Sequence, residues 1–118
     1  MKKIYHLASC DTCQRIIAAI NPGDNVILQD IKSQNITTTQ LEEMYTMTGS
    51  YEALFSKRAR LYRQRALKEQ ILSEDDYKSL ILEHYTFLKR PVMINGDTIF
   101  VGNSKKVVAA AVEAFNKY

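Results

Sequence analysis

Two cysteines, Cys10 and Cys13, are the only thiols of the 118-residue chain, and they stand as Cys-x-x-Cys shortly after the extended stretch Ile4-Tyr5-His6-Leu7. An apolar run of helical period follows them. A cysteine at a helix N-terminus faces free amide N–H groups and the positive end of the helix dipole, both of which favour the thiolate. Cys10 is therefore the expected nucleophile. Cys13, almost one turn further on, lies close enough to attack a mixed disulfide formed at Cys10 and is the expected resolving thiol. The bland alternative for Cys13 is a small buried apolar residue. Asp11, inside the motif, suits a first helical turn, although its charge opposes a thiolate beside it. Zinc needs more than this pair. His6 and His84 complete four donors only without any standard zinc spacing, so no metal site is expected. His6 reads as a strand residue or a modulator of Cys10, and His84 as a core or interface histidine.

Composition sets the context for that chemistry. With 46% hydrophobic residues the chain suits a single domain over 1–118 that needs no disulfide staples. No apolar run is long enough to span a membrane and the N-terminus leads into a strand, so a cytoplasmic location is expected, where a lone Cys-x-x-Cys is redox-active or metal-binding rather than structural. A formal charge of +3 gives no case for direct nucleic-acid binding. The cations are concentrated at Lys57, Arg58, Arg60, Arg63, Arg65 and Lys68, which reads either as a solvated face or as a surface for an anion or a partner.

The elements that position the cysteines follow from periodicity. A strand over 3–7, a helix carrying Cys13, Ile16, Ile17 and Ile20 that stops at Asn21-Pro22-Gly23, and a strand over 26–31 form a parallel β-α-β unit. Residues 37–88 read as a mostly helical insertion. Its first helix is opened by a capping box of Thr39 and Glu42 and presents Leu41, Met44, Tyr45 and Thr48 until Gly49; a later one opens at Ser73 and presents Tyr77, Leu80, Ile81 and His84. Val92-Met93-Ile94 and Thr98–Val101 read as strands around an Asn95-Gly96 hairpin turn. A helix with Val107, Val108, Ala111, Val112 and Phe115 on one face closes the chain.

This order resembles the thioredoxin/glutaredoxin-like α/β fold, βαβ and ββα around a mixed four-stranded sheet, with a helical insertion. Tyr5-His6 with Ser9-Cys10-x-x-Cys13, Glu52-Ala53-Leu54-Phe55-Ser56-Lys57-Arg58, Leu88-Lys89-Arg90-Pro91 and Val101-Gly102 narrow it: they resemble the arsenate reductase (ArsC) family of glutaredoxin-coupled type, together with its Spx-like branch. The resemblance implies an oxidoreductase in which Cys10 attacks a bound oxyanion, arginines hold that anion, and glutathione with glutaredoxin, or thioredoxin, supplies electrons without any bound cofactor. It aligns Arg90 with an anion-binding arginine and Pro91 with the cis-proline that faces the reactive cysteine. The pattern departs at Ser56 and Gly102, where relatives of the arsenate-reducing type carry further arginines; Arg58 is the residue left to supply part of that charge. Cys13 is an addition that favours reversible disulfide cycling. Two alternatives follow from the same resemblance: a Spx-like regulator that binds RNA polymerase with the cysteine pair as its oxidative switch, and a glutathione-dependent reductase of small disulfides.

Overall fold

The computed structural model of the chain describes residues 1–116. Two compact units are present: Met1–Gln34 together with the chain from Arg90 onward, and Asn35–Lys89.

The first unit is a mixed four-stranded sheet in the order β2-β1-β3-β4. β1 (Lys2–His6) runs parallel to β2 (Val26–Asp30), with Ile4 opposite Leu28 and His6 opposite Asp30. β3 (Val92–Asn95) is antiparallel to β1 and to β4 (Thr98–Val101). α1 (Asp11–Ile20) joins the parallel pair, and its left-handed C-cap is Asn21 at φ 51°, a residue type that tolerates this conformation. α5 (Lys105–Phe115) is capped by the Ser104 hydroxyl, which accepts from the Val107 N–H. Ile16 and Ile20 of α1, Ala111 of α5, Ile4 of β1 and Met93 of β3 form one core, against which Val107, Val108, Val112 and Phe115 pack. Each large aliphatic side chain so buried is worth about 1.5–3 kcal/mol, and this packing fixes the axis of α1 and with it the place of the cysteines.

The hairpin differs from the sequence expectation in one respect. Asn95 pairs with Thr98 as the last residue of β3, so the two-residue loop is Gly96-Asp97. Gly96, at φ 62°, takes the first central position, where a left-handed residue matches the strand twist.

The second unit holds α2 (Thr38–Thr48), the five-residue α3 (Arg60–Gln64) and α4 (Glu74–Glu83), with single 3-10 turns at Glu52–Leu54, Leu67–Glu69 and Tyr85–Phe87. The capping box of α2 is Thr37 with Gln40, not Thr39 with Glu42: the Thr37 hydroxyl accepts from the Gln40 N–H and the Gln40 side-chain Oε1 from the Thr37 N–H, both at 3.0 Å. Hydrophobic anchoring selects this register, since buried Ile36 and Leu41 occupy the two positions of a hydrophobic staple. Ser73 and Asp76 form the equivalent box on α4. His84 is not part of the α4 face; it ends the helix in extended geometry, and its Nδ1 accepts from the Thr86 N–H, which starts the next turn. Phe55 is the aromatic centre of the unit, with ring centroids of Tyr77, Phe87 and Tyr62 at 4.8, 5.3 and 5.8 Å.

Candidate active site

Cys10 is the N-cap of α1, in extended geometry at φ −90°, and its side chain makes no capping bond of its own. The chain reaches it through a tight turn in which the Cys10 N–H donates to the Leu7 carbonyl at 3.0 Å. Cys10 is half-buried and Cys13 fully buried, and neither forms a disulfide.

Burial alone raises the Cys10 thiol. The hydrogen bonds it receives outweigh that and hold it below the ordinary thiol value: from the Cys13 N–H, the Cys13 thiol, the Thr12 N–H and the Arg90 side chain. Cys13 goes the other way. Burial pushes it up to about 11, the Cys10 thiolate adds to the rise, and the Leu7 N–H and the charge of Arg90 oppose it. Of the two sulfurs, Cys10 is therefore the one that gives up its proton more readily.

The other residues expected at the site are placed as follows. The Arg90–Pro91 peptide is cis, and Pro91 is buried. The Pro91 carbonyl accepts from the Gly102 N–H at 2.9 Å, and the Arg90 carbonyl from Asn103 Nδ2 at 3.4 Å, so the turn after β4 holds the arginine segment. Gly102 sits at φ 92° with open space around it, which makes the absent arginine a matter of backbone conformation as well as charge. Arg58 belongs to the second unit, where it is exposed next to buried Ala59; Ser56 donates its N–H to the Phe87 carbonyl in that unit. Of the basic run, Lys57 pairs with Glu52 and Arg65 with Glu83, at 2.7 and 2.6 Å. His6 is half-buried; burial lowers its pKa against the attraction of Asp30.

Sequence reasoning anticipated the amide N–H groups of the first helical turn, here those of Thr12 and Cys13, and Arg90. It passed over the Leu7 N–H, which carries no side-chain signature. Asp30 was readable as the end of a strand, but its contact with Ala8 follows only from the parallel register that sets it opposite His6. Among the described residues no group of three or more His, Cys, Asp or Glu is placed to hold a metal ion, and no helix is long and apolar enough to cross a membrane.

Known proteins resemble this chain in sequence and in fold. An arsenate reductase from Haemophilus influenzae is 24% identical over 108 residues, covering 89% of this chain and 93% of its own length. A global transcriptional regulator, Spx 2 of Bacillus cereus, is 25% identical over 108 residues, covering 89% of this chain and 82% of the regulator. The solved structure of an arsenate reductase from Vibrio cholerae superposes with a TM-score of 0.77 at 19% identity, covering 96% of both chains, which bears out the thioredoxin-like fold. The family model described as "ArsC family" matches residues 5–111, from the strand before the cysteines to the core of the last helix, and the chain belongs to that family.

Proposed function

We propose that the chain is a cytoplasmic thiol oxidoreductase with Cys10 as nucleophile and Cys13 as resolving thiol. The observation that carries this reading is the split between the two sulfurs, Cys10 lowered by the donors around it and Cys13 raised by burial to about 11. With a disulfide substrate, the Cys10 thiolate attacks one sulfur and expels the other half as a thiolate. Cys13 then loses its proton and attacks the Cys10 sulfur, the second half leaves, and a Cys10–Cys13 disulfide remains for an external thiol donor, glutaredoxin or thioredoxin, to reduce. With arsenate, Cys10 displaces water from arsenic(V); a thiol then attacks the Cys10 sulfur and two electrons pass to arsenic, which leaves as arsenite. Arg90 is the anion-binding residue of this reading, and Pro91 fixes its segment.

The test is NADPH consumption by the purified protein with arsenate or with a small disulfide. The donor is glutathione with glutaredoxin in one arm and thioredoxin with its reductase in the other. Saturable turnover that disappears in Cys10→Ser supports the enzyme and identifies its donor; turnover that survives Cys10→Ser rejects the mechanism.

A second reading, a redox-switched regulator that binds RNA polymerase, draws on the buried resolving thiol and on the similarity to the Spx 2 regulators. Capture of polymerase that changes between reducing and oxidising conditions, and is lost in Cys10→Ser, favours it over the enzyme.

A further inference from the structure

β2 is an outer strand of the sheet, and it carries none of the features that ordinarily protect one. No charge, proline or bulge lies between Val26 and Gln29, and Ile27 and Leu28 are 54% and 46% exposed. Its backbone groups alternate between the two edges of the strand. The Ile31 N–H donates to the His6 carbonyl at 2.9 Å, so Ile27, Gln29 and Ile31 turn toward β1 while Val26, Leu28 and Asp30 turn outward. Two of the outward groups are closed within the chain. The Val26 N–H donates to the Gly23 carbonyl at 3.1 Å, and the Asp30 carbonyl accepts from the Gln34 N–H at 2.9 Å. The open edge therefore consists of the Val26 carbonyl, both backbone groups of Leu28 and the Asp30 N–H.

We propose that this edge receives β2 of a second copy of the chain, antiparallel about a two-fold axis through Leu28, so that two four-stranded sheets join into one. The open groups are complementary to themselves in that register. Each Leu28 N–H donates to the Leu28 carbonyl of the other copy, and each Asp30 N–H to the other copy's Val26 carbonyl. The Val26 N–H and the Asp30 carbonyl, which would face each other next, are the two groups already closed. Charge selects the same register. The axis at Leu28 brings exposed Asp24 at one end of the pairing toward exposed Lys32 of the second copy. An axis at Ile27 would oppose Asp24 to Asp30, and one at Gln29 would set Leu28 against Asp30 and direct the Leu28 N–H to the closed Asp30 carbonyl. Because the two β1 strands then run in opposite directions, the two Cys10 residues lie at opposite ends of the joined sheet and both stay accessible.

Sedimentation velocity of the full chain, kept reduced so that no intermolecular disulfide forms, tests this from about 10 μM to about 1 mM, where a contact smaller than a standard interface dissociates. A reversible dimer is expected to appear as concentration rises. Leu28→Asp and Leu28→Lys each place like charges on the axis and are expected to weaken association by about tenfold or more, whereas an equimolar mixture of the two restores a dimer with one of each. Asp24→Lys is expected to weaken association as well, and Lys32→Asp in the same chain to return it. This second pair lies in exposed turns and decides alone if a Leu28 variant does not fold. A chain that is monomeric across the range overturns the proposal and leaves the edge to a strand of another protein. A dimer that persists in both Leu28 variants, or a mixture no more associated than its components, overturns it too, because the contact then lies elsewhere.

Discussion

The side chain of Arg90 hydrogen-bonds to the sulfur of Cys10, although the two residues come from opposite ends of the chain. The strand pairing of β1 with β3 makes this possible, since Tyr5 lies opposite Val92 and both connections leave the sheet at the same end. Arg90→Ala removes a hydrogen bond and a positive charge from the thiolate. Alkylation of Cys10 by iodoacetamide should then titrate at higher pH and run roughly three- to tenfold slower near neutrality, with Arg90→Lys in between. An unchanged titration shows that Arg90 does not act on Cys10.

Cys13, raised to about 11, gives the resolving step a pH dependence opposite in reach to that of the first attack. Below that value the thiolate fraction of Cys13 grows about tenfold per pH unit, so intramolecular release should accelerate steeply between about pH 7 and 9, and the first attack, through the lowered Cys10, should level off at lower pH than the second step. Formation of the mixed disulfide removes the negative charge at Cys10, and the plateau of the second step should accordingly arrive below 11. Single-turnover kinetics across this range check the slope, and a flat second step contradicts the raised Cys13.

Gly102 tests whether a family arginine can simply be put back. Nothing lies within 4 Å of a Cβ there, so a side chain has room, but φ 92° is costly for any residue that has one. Gly102→Arg should lose about 1–2 kcal/mol in urea unfolding, and Gly102→Ala about as much, because the cost belongs to the backbone. A stable Gly102→Arg protein would show that the turn after β4 can relax.

Ala66 presents the reverse case. It is exposed and left-handed, at φ 52° and ψ 37°, between α3 and the turn at Leu67–Glu69. Ala66→Gly should raise stability by about 0.5–1 kcal/mol, the relief of the left-handed conformation exceeding the added freedom of the unfolded chain. Denaturant midpoints measure this directly.

Periodicity made most of the scaffold legible. Ile16 and Ile20 at one-turn spacing, the apolar face from Val107 to Phe115 and the short strands on either side of Gly96 each satisfy a single local rule, and each adopts the element that rule names. Competing local rules were harder to rank. Thr37 with Gln40 and Thr39 with Glu42 both suit a capping box, and burial of Ile36 and Leu41 decides between them only in three dimensions. His84 continued the helical spacing of α4, but its ring nitrogen serves the following turn instead. At the candidate site Cys10 was legible as a helix N-cap, whereas the hydrogen bond from the Ala8 N–H to Asp30 depends on a strand register that no local pattern expresses.

The first unit is assembled from both ends of the chain, and this has a consequence for the order of events on the ribosome. Both cysteines emerge early, with β1 and α1, while the partner strand β3 and Arg90 are translated only after the whole of Asn35–Lys89. Domains complete themselves as synthesis proceeds, so the nascent chain carries two thiols for most of its elongation before the arginine that acts on them exists. The contribution of Arg90 to the Cys10 thiol thus arises only when β3 docks against β1.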